Sequence, residues 1–269
     1  MNLKCPNCHR SAAPGDRFCE GCGTPLAATS VGGRTVVLPQ SMVGALSAEQ
    51  TKTIIQRVQK TLGGAVAMNP SGTLVLGDPN QRELIVMVMD RSDSMGDPFD
   101  PGVIKLEAAV RAAINLILNK AQMDPQDEIA LVAFNSKAKV LQGFHPIRTH
   151  KQQMIRLLQG LSPDNGTDID EGMKAARDLF DWERRGVVRR VVLLTDGQGG
   201  DPLGTAKDLK SRGVVIDVIG VGDCPDNVDE DLLRKVASTV GGQLRYRFIK
   251  DSQTLVKHYT QLANKTATA

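Results

Sequence analysis

From residue 83 onward, the apolar positions of the chain switch between two periods. Leu84-Ile85-Val86-Met87-Val88-Met89 is an unbroken apolar run, and so is Val191-Val192-Leu193-Leu194. Strands buried on both faces of a parallel sheet read this way. Between such runs the apolar residues recur at helical spacing. Val103, Leu106, Val110, Ile114, Ile117 and Leu118 predict a helix over 102–121, and Met154, Ile155, Leu157 and Leu158 predict one over about 150–159. Ile169, Met173, Ala176 and Phe180 predict another, reaching 182. Further helices are expected over about 203–212, 229–239 and 252–264, with Gly241-Gly242 supplying a left-handed cap to the second of these. Strands are expected at 84–89, 128–134, 138–141, 189–195, 214–220 and 243–248, the second and third joined by the Asn135-Ser136-Lys137 turn. This alternation implies right-handed crossovers and an α/β fold: a mostly parallel, doubly wound sheet with helices on both faces.

Residues before 83 follow no such rhythm. Residues 3–25 read as a miniature unit, and 26–46 are a weakly patterned stretch of Ala, Thr, Ser, Gly and Val with a short strand expected within Arg34–Leu38. Ser47 and Gln50 form a capping box before Ile54, Ile55, Val58 and Leu62, so a helix is expected over 47–62, stopped by Gly63-Gly64. Ala65–Met68 and Thr73–Leu76 flank Asn69-Pro70-Ser71-Gly72 and read as a hairpin. The expected division is therefore 1–26, a linker over 27–82, a main domain over 83–264 and a tail over 265–269.

Composition narrows the class. The chain has 269 residues, is 41% hydrophobic and 23% charged, and so can bury one large core plus something small. Aromatics are only 3%, which makes that core aliphatic. The net charge of +3 comes from 33 basic and 30 acidic residues without a basic block, a poor basis for nucleic-acid binding. The start, Met1–Pro6, lacks the apolar segment of a signal peptide, and the apolar runs fall short of the ~18 residues of a membrane helix. A cytoplasmic protein without a membrane segment is the expectation.

Chemistry concentrates where the predicted strands end. Asp90-Arg91-Ser92-Asp93-Ser94 follows the first apolar run, and Thr195-Asp196-Gly197 follows the later one. Thr167 stands in the loop Ser162-Pro163-Asp164-Asn165-Gly166-Thr167-Asp168 before a helix. Carboxyl ends of strands are where open α/β sheets bind ligands. Two carboxylates (Asp90, Asp196) and three hydroxyls (Ser92, Ser94, Thr167) make an oxygen-only set suited to a hard divalent ion. Asp93 and Asp168 read as helix-capping or supporting groups.

The D-x-S-x-S run, the loop threonine and the late T-D-G resemble the von Willebrand factor type A domain, over roughly residues 83–264. The resemblance implies a Rossmann-like fold and a metal-ion-dependent adhesion site. There, Asp90, Ser92, Ser94, Thr167 and Asp196 would hold Mg²⁺ or Mn²⁺, the hydroxyls as ligands and the carboxylates directly or through water. It also implies one coordination position left for an Asp or Glu presented by another protein.

Four of the five cysteines lie in the first 22 residues, as Cys5-Pro6-Asn7-Cys8 and Cys19-Glu20-Gly21-Cys22. An odd count so clustered argues against a disulfide framework. The spacing resembles a short zinc ribbon, in which Cys5, Cys8, Cys19 and Cys22 would close a tetrahedral Zn²⁺ site. His9 is then a neighbour, and Cys224, with no histidine near it in sequence, reads as a loop thiol. Gly220-Val221-Gly222 lacks the third glycine of a dinucleotide fingerprint.

These features favour a metal-dependent interaction module, acting as scaffold or regulatory component of an intracellular assembly, over two alternatives. A Mg²⁺-dependent phosphatase with an aspartyl nucleophile would need an acid two residues after Asp90, where Ser92 stands. Nucleic-acid binding through the ribbon would rest on Lys4, Arg10 and Arg17, offset by Asp16 and Glu20. Thr35, after Arg34, is either a strand threonine or a phosphorylation site.

Overall fold

The computed structural model describes residues 82–263 apart from Gln198, Asp226 and Asn227, together with five short strands and Thr53 in the first 80 residues. The chain divides into two units, Met1–Asn80 and Gln81–Ala269. In the first, Leu3–Lys4 pairs antiparallel with Ser11–Ala12. Thr73–Leu76 pairs antiparallel with Val66–Met68, the expected hairpin, and on its other side with Thr35–Val37. Thr35 thus lies in a strand, opposite Val75. The four amino-terminal cysteines, and the predicted helix over 47–62 except Thr53, fall outside the described residues.

In the second unit, β1 (Arg82–Asp90) is apolar for six residues because both its faces are covered. It is followed by α1 (Lys105–Met123), β2 (Glu128–Phe134), β3 (Ala138–Pro146), α2 (Ile147–Gln159) and α3 (Ile169–Leu179). Then come β4 (Val187–Thr195), α4 (Leu203–Ser211), β5 (Val215–Val221), α5 (Glu230–Val236), β6 (Tyr246–Ile249) and α6 (Ser252–Ala263). The spatial order is β3-β2-β1-β4-β5-β6. Every pairing is parallel except β3 with β2, whose short Asn135–Lys137 turn allows only an antiparallel return.

Strand alternation sorts the core into two halves. Ile85, Met87 and Met89 of β1 join Ile129, Leu131, Val192 and Leu194 on one face, under Leu106, Leu116, Met154, Leu158, Leu255 and Tyr259 from α1, α2 and α6. Leu84, Val86 and Val88 join Ala130, Val132, Val191 and Leu193 on the other, under Met173, Ala176, Leu209 and Leu233 from α3, α4 and α5. Small residues set how closely the helices approach. Ala108, Ala109, Ala112 and Ala113 make one flat side of α1, and a Cβ on Gly172 of α3 would stand 2.8 Å from the Phe134 ring.

Several predicted boundaries shift. The first helix begins at Lys105, not at 102, because Pro98–Asp100 and Val103–Ile104 pair as a small antiparallel ribbon. The strand expected at 138–141 runs on to Pro146, past two register shifts, and α2 starts at once after it. The helix expected to reach 182 stops at Leu179. The helix expected over 229–239 ends at Val236, and Gly241-Gly242 does not cap it. With φ of 56° and 78°, those glycines turn a hairpin between Thr239–Val240 and Gln243–Leu244. Tyr246–Ile249 alone then joins the main sheet.

Candidate metal centre

The order of strands reverses between β1 and β4: β2 follows on one side of β1 and β5 on the far side of β4. Connections diverge at that point and leave a crevice at the carboxyl ends of the two strands. Asp90 is the last residue of β1, and Asp196 directly follows the last residue of β4.

The chain after β1 folds back on its own aspartate. Ser92 N donates to Asp90 Oδ1 at 2.8 Å, and a single 3-10 turn follows over Asp93–Gly96, anchored by the fully buried Met95. Asp93 is the exposed first residue of that turn rather than its cap. The turn brings Ser92 Oγ to 3.2 Å from Ser94 Oγ, and Ser94 Oγ donates to Asp196 Oδ1 at 2.9 Å. Thr195 Oγ1 donates to Asp90 Oδ2 at 2.5 Å and itself accepts from Gly197 N at 3.0 Å.

Thr167 arrives from the other side. Its loop is held by Asp168 N donating to Asn135 O at 2.7 Å, by Asn135 Nδ2 donating to Asp164 Oδ2 at 3.0 Å, and by an ion pair between Asp164 and Arg91. Asp168 caps α3, accepting from Asp170 N and Glu171 N. Thr167 lies against the segment after β4. A Cβ on Gly197 would stand 3.6 Å from its methyl, and one on Gly199 (φ +144°) would stand 2.2 Å from its carbonyl oxygen. Only glycine permits that approach at position 199. Four of the five expected site residues are therefore joined by hydrogen bonds, and Thr167 is packed alongside them.

Two participants were not foreseen from sequence. Thr195 satisfies the buried Asp90. Lys105, the first residue of α1, places Nζ 2.8 Å from Asp196 Oδ2 and 3.4 Å from Asp97 Oδ2. A lysine opening a helix is set against the positive end of the helix dipole, and that is the sequence signal that marks it.

The electrostatics call for more positive charge. Asp90 is fully buried and its two short-range partners, Ser92 N and the Thr195 hydroxyl, are neutral donors. Burial pushes its pKa up to about 6, the hydrogen bonds from Thr195 and Ser92 pull the other way, and repulsion by Asp196 adds to the rise. Burial lowers the pKa of Lys105, but its hydrogen bond to Asp196 and the charges of Asp196 and Asp97 outweigh that and hold it above its ordinary value. Lys105 is thus shared by Asp196 and Asp97, and Asp90 is left with neutral donors.

The residues fit a hard divalent ion. Neighbouring ligands on an octahedron of about 2.1 Å radius stand about 3.0 Å apart. The Ser92–Ser94 and Ser94–Asp196 oxygen separations, 3.2 and 2.9 Å, bracket that spacing. All donors here are oxygens, the set preferred by Mg²⁺ and Mn²⁺. Asp90, with both oxygens engaged, is placed to contribute charge behind the hydroxyls.

Comparison with known proteins agrees with this architecture. An uncharacterized protein of Synechocystis is 29% identical over 181 residues, 63% of this chain and 39% of that one. The chain thus spans well under half of that relative. Among solved structures, a von Willebrand factor type A protein from Catenulispora acidiphila superposes with a TM-score of 0.58 at 21% identity, covering 73% of this chain and 44% of that one. Proximal thread matrix protein 1 from the mussel byssus, in a form whose adhesion-site motif holds zinc, superposes with a TM-score of 0.56 at 20% identity, covering 80% and 51%. These structural likenesses speak for the fold alone. The model of the von Willebrand factor type A domain matches residues 85–261, most of the chain, and the protein belongs to that family.

Proposed function

We propose that the domain is a metal-dependent protein-interaction module whose ion, Mg²⁺ or Mn²⁺, is held by Ser92, Ser94, Thr167 and Asp196 over the buried charge of Asp90. The observation that carries the reading is the convergence of Ser92, Ser94 and Asp196 oxygens at ligand-like spacing, at the point where the strand order reverses. A bound ion would supply a Lewis-acidic position open to a carboxylate of another protein. Ser94 is exposed and Asp90 is not, so the hydroxyl side of the site is the side that a partner would meet. The serine at position 92 leaves no acid two residues after Asp90, where an aspartyl phosphatase would carry one, which favours binding over phosphoryl chemistry.

The test is thermal unfolding with and without Mg²⁺. A ligand at about 100 times its Kd stabilises a protein by about 2.7 kcal/mol. For a domain of this size that is roughly 5–10 °C. The wild-type protein should show this rise and Asp196→Ala should not. Partners retained from a lysate by wild type in Mg²⁺ should then be lost by the same variant. An equal rise in both proteins would remove the ion from this site.

The amino-terminal cysteines enter the same proposal as a Zn²⁺ site formed by Cys5, Cys8, Cys19 and Cys22. Two C-x₂-C pairs supply a closed thiolate set, and thiolates of this kind persist in a reducing compartment, which supports an intracellular setting. Elemental analysis of the purified chain should find one zinc per molecule, lost in Cys19→Ser. Stoichiometric zinc retained by that variant would argue against the assignment.

A further inference from the structure

Lys105 is placed where its own helix opposes it. It is the first residue of α1, at the positive end of the dipole, yet only 11% of its side chain is exposed. What holds it there is Asp196, whose side chain is 2% exposed and whose Oδ2 is 2.8 Å from Nζ. The second carboxylate within reach is of a different kind. Asp97 is 63% exposed, its Oδ2 is 3.4 Å from Nζ, and its main-chain oxygen accepts from Lys105 N at 3.0 Å. The backbone bond keeps Asp97 beside the lysine whatever the side chains do. The ammonium therefore stands between a buried carboxylate of the metal centre and a solvated one just outside it.

We propose that Lys105 is a tethered counter-ion that competes with the divalent cation for Asp196 and transfers to Asp97 when the cation binds. The proposal rests on the reading of the site given above. Asp196 Oδ1 faces the serine hydroxyls and Oδ2 faces Lys105, so one carboxylate serves both cations. Without a divalent ion, the ammonium neutralises Asp196 and spares the crevice two uncompensated carboxylates. With one bound, two positive centres on the same carboxylate repel. The lysine gains by moving its charge towards Asp97, which needs only side-chain rotation. Lys105 would thus lower the affinity of the site while keeping the metal-free form folded, and Asp97 would limit how much affinity is lost.

The two residues then act with opposite sign, which a merely structural role would not produce. Mg²⁺ titration of the full chain by calorimetry is the measurement, since that ion has little affinity for thiolates and leaves the cysteine site aside. Lys105→Met should tighten Mg²⁺ binding by about tenfold or more, because a close, half-desolvated charge is removed from a ligand. Lys105→Gln should do the same, and Lys105→Arg should stay near wild type. Asp97→Asn should weaken binding about threefold, since the ammonium loses its second place. In Lys105→Met the rise in melting temperature on adding Mg²⁺ should exceed that of wild type, from a lower metal-free starting point. Binding by Lys105→Met but not by wild type would also support the competition. Unchanged or weaker binding in Lys105→Met and Lys105→Gln, while wild type binds and Asp196→Ala does not, overturns this proposal and leaves the metal centre standing. No Mg²⁺ binding by any of these folded proteins overturns both.

Discussion

At the scale of single residues, the site turns on how a fully buried carboxyl group is satisfied by its neighbours. Asp90 has one main-chain donor and one hydroxyl donor, and the hydroxyl belongs to Thr195. The same Thr195 oxygen accepts from Gly197 N and so also shapes the turn that presents Asp196. Replacing Thr195 by valine keeps the volume and removes both bonds. A buried group left without its partner costs about 1–3 kcal/mol, more when it is charged. Thr195→Val should therefore melt several degrees below wild type in the absence of Mg²⁺, and its response to Mg²⁺ should be reduced because Asp196 is less firmly placed. An unaltered melting temperature would mean that Asp90 does not depend on this donor. Asp90, Ser92, Ser94 and Asp196, which the structure joins by hydrogen bonds, stood out in the sequence because they stand just past apolar strand runs, and Thr167 because it stands in the loop before a helix. Thr195 did not, since a threonine ending a β-strand is unremarkable by propensity, and its role appears only when β4 is laid beside β1.

At the scale of elements, legibility followed the length and regularity of the apolar pattern. The runs at 84–89 and 191–194 are fully buried, and the stripe of Leu106, Ile117 and their neighbours lies on the buried side of α1. What failed were ends. Val103 fits the helical stripe but belongs to a strand pair that bends the chain from the 3-10 turn to α1, so periodicity extended the helix backwards by three residues. That error concealed the position of Lys105, which at a helix start reads as a misplaced charge and three residues inside a helix reads as nothing. Gly241-Gly242 misled in the same manner. Two successive glycines suit a helix end and a tight hairpin equally, and the choice was made by Thr239 and Val240 pairing with Leu244 and Gln243. The strand at 138–146 was cut short because Gln142 and Gly143 interrupt its pattern where its register against β2 shifts.

At the scale of the whole sheet, charge is buried at both ends of the strands, with different consequences. Opposite the metal centre, at the amino ends, Lys120 Nζ lies 2.6 Å from Glu83 Oε2 and 2.7 Å from Asp127 Oδ2, while Arg190 Nε lies 2.7 Å from Asp217 Oδ2 and its guanidinium 3.5 Å from Glu83. All five side chains are buried. The group ties the end of α1 to β1, β4 and β5, and each of its three carboxylates has a cationic partner. At the candidate metal centre Asp90 is held by neutral donors, and Lys105 pairs with Asp196 and Asp97. Burial pushes the Asp127 carboxyl up to about 6 even with Lys120 beside it. Replacing Lys120 by methionine would leave Asp127 without its cation beside Glu83 in a dry setting, a loss of about 3–5 kcal/mol and, for a domain of this size, a fall in melting temperature on the order of 10 °C. With the ammonium gone, the Asp127 carboxyl, already pushed up by burial, holds its proton more tightly in the folded chain than in the unfolded one. The folded state then binds more protons below neutrality, and stability should rise as pH falls from 7 towards 5. The added stability conferred by Mg²⁺ at pH 7 should match that of wild type, because the proposed ion site lies at the other end of the strands. Thermal melts of Lys120→Met at pH 7 and pH 5, each with and without Mg²⁺, separate the two ends. A variant that loses its Mg²⁺ response along with its stability would show that the buried ion group and the metal centre are coupled through β1, and that the sheet does not insulate one from the other.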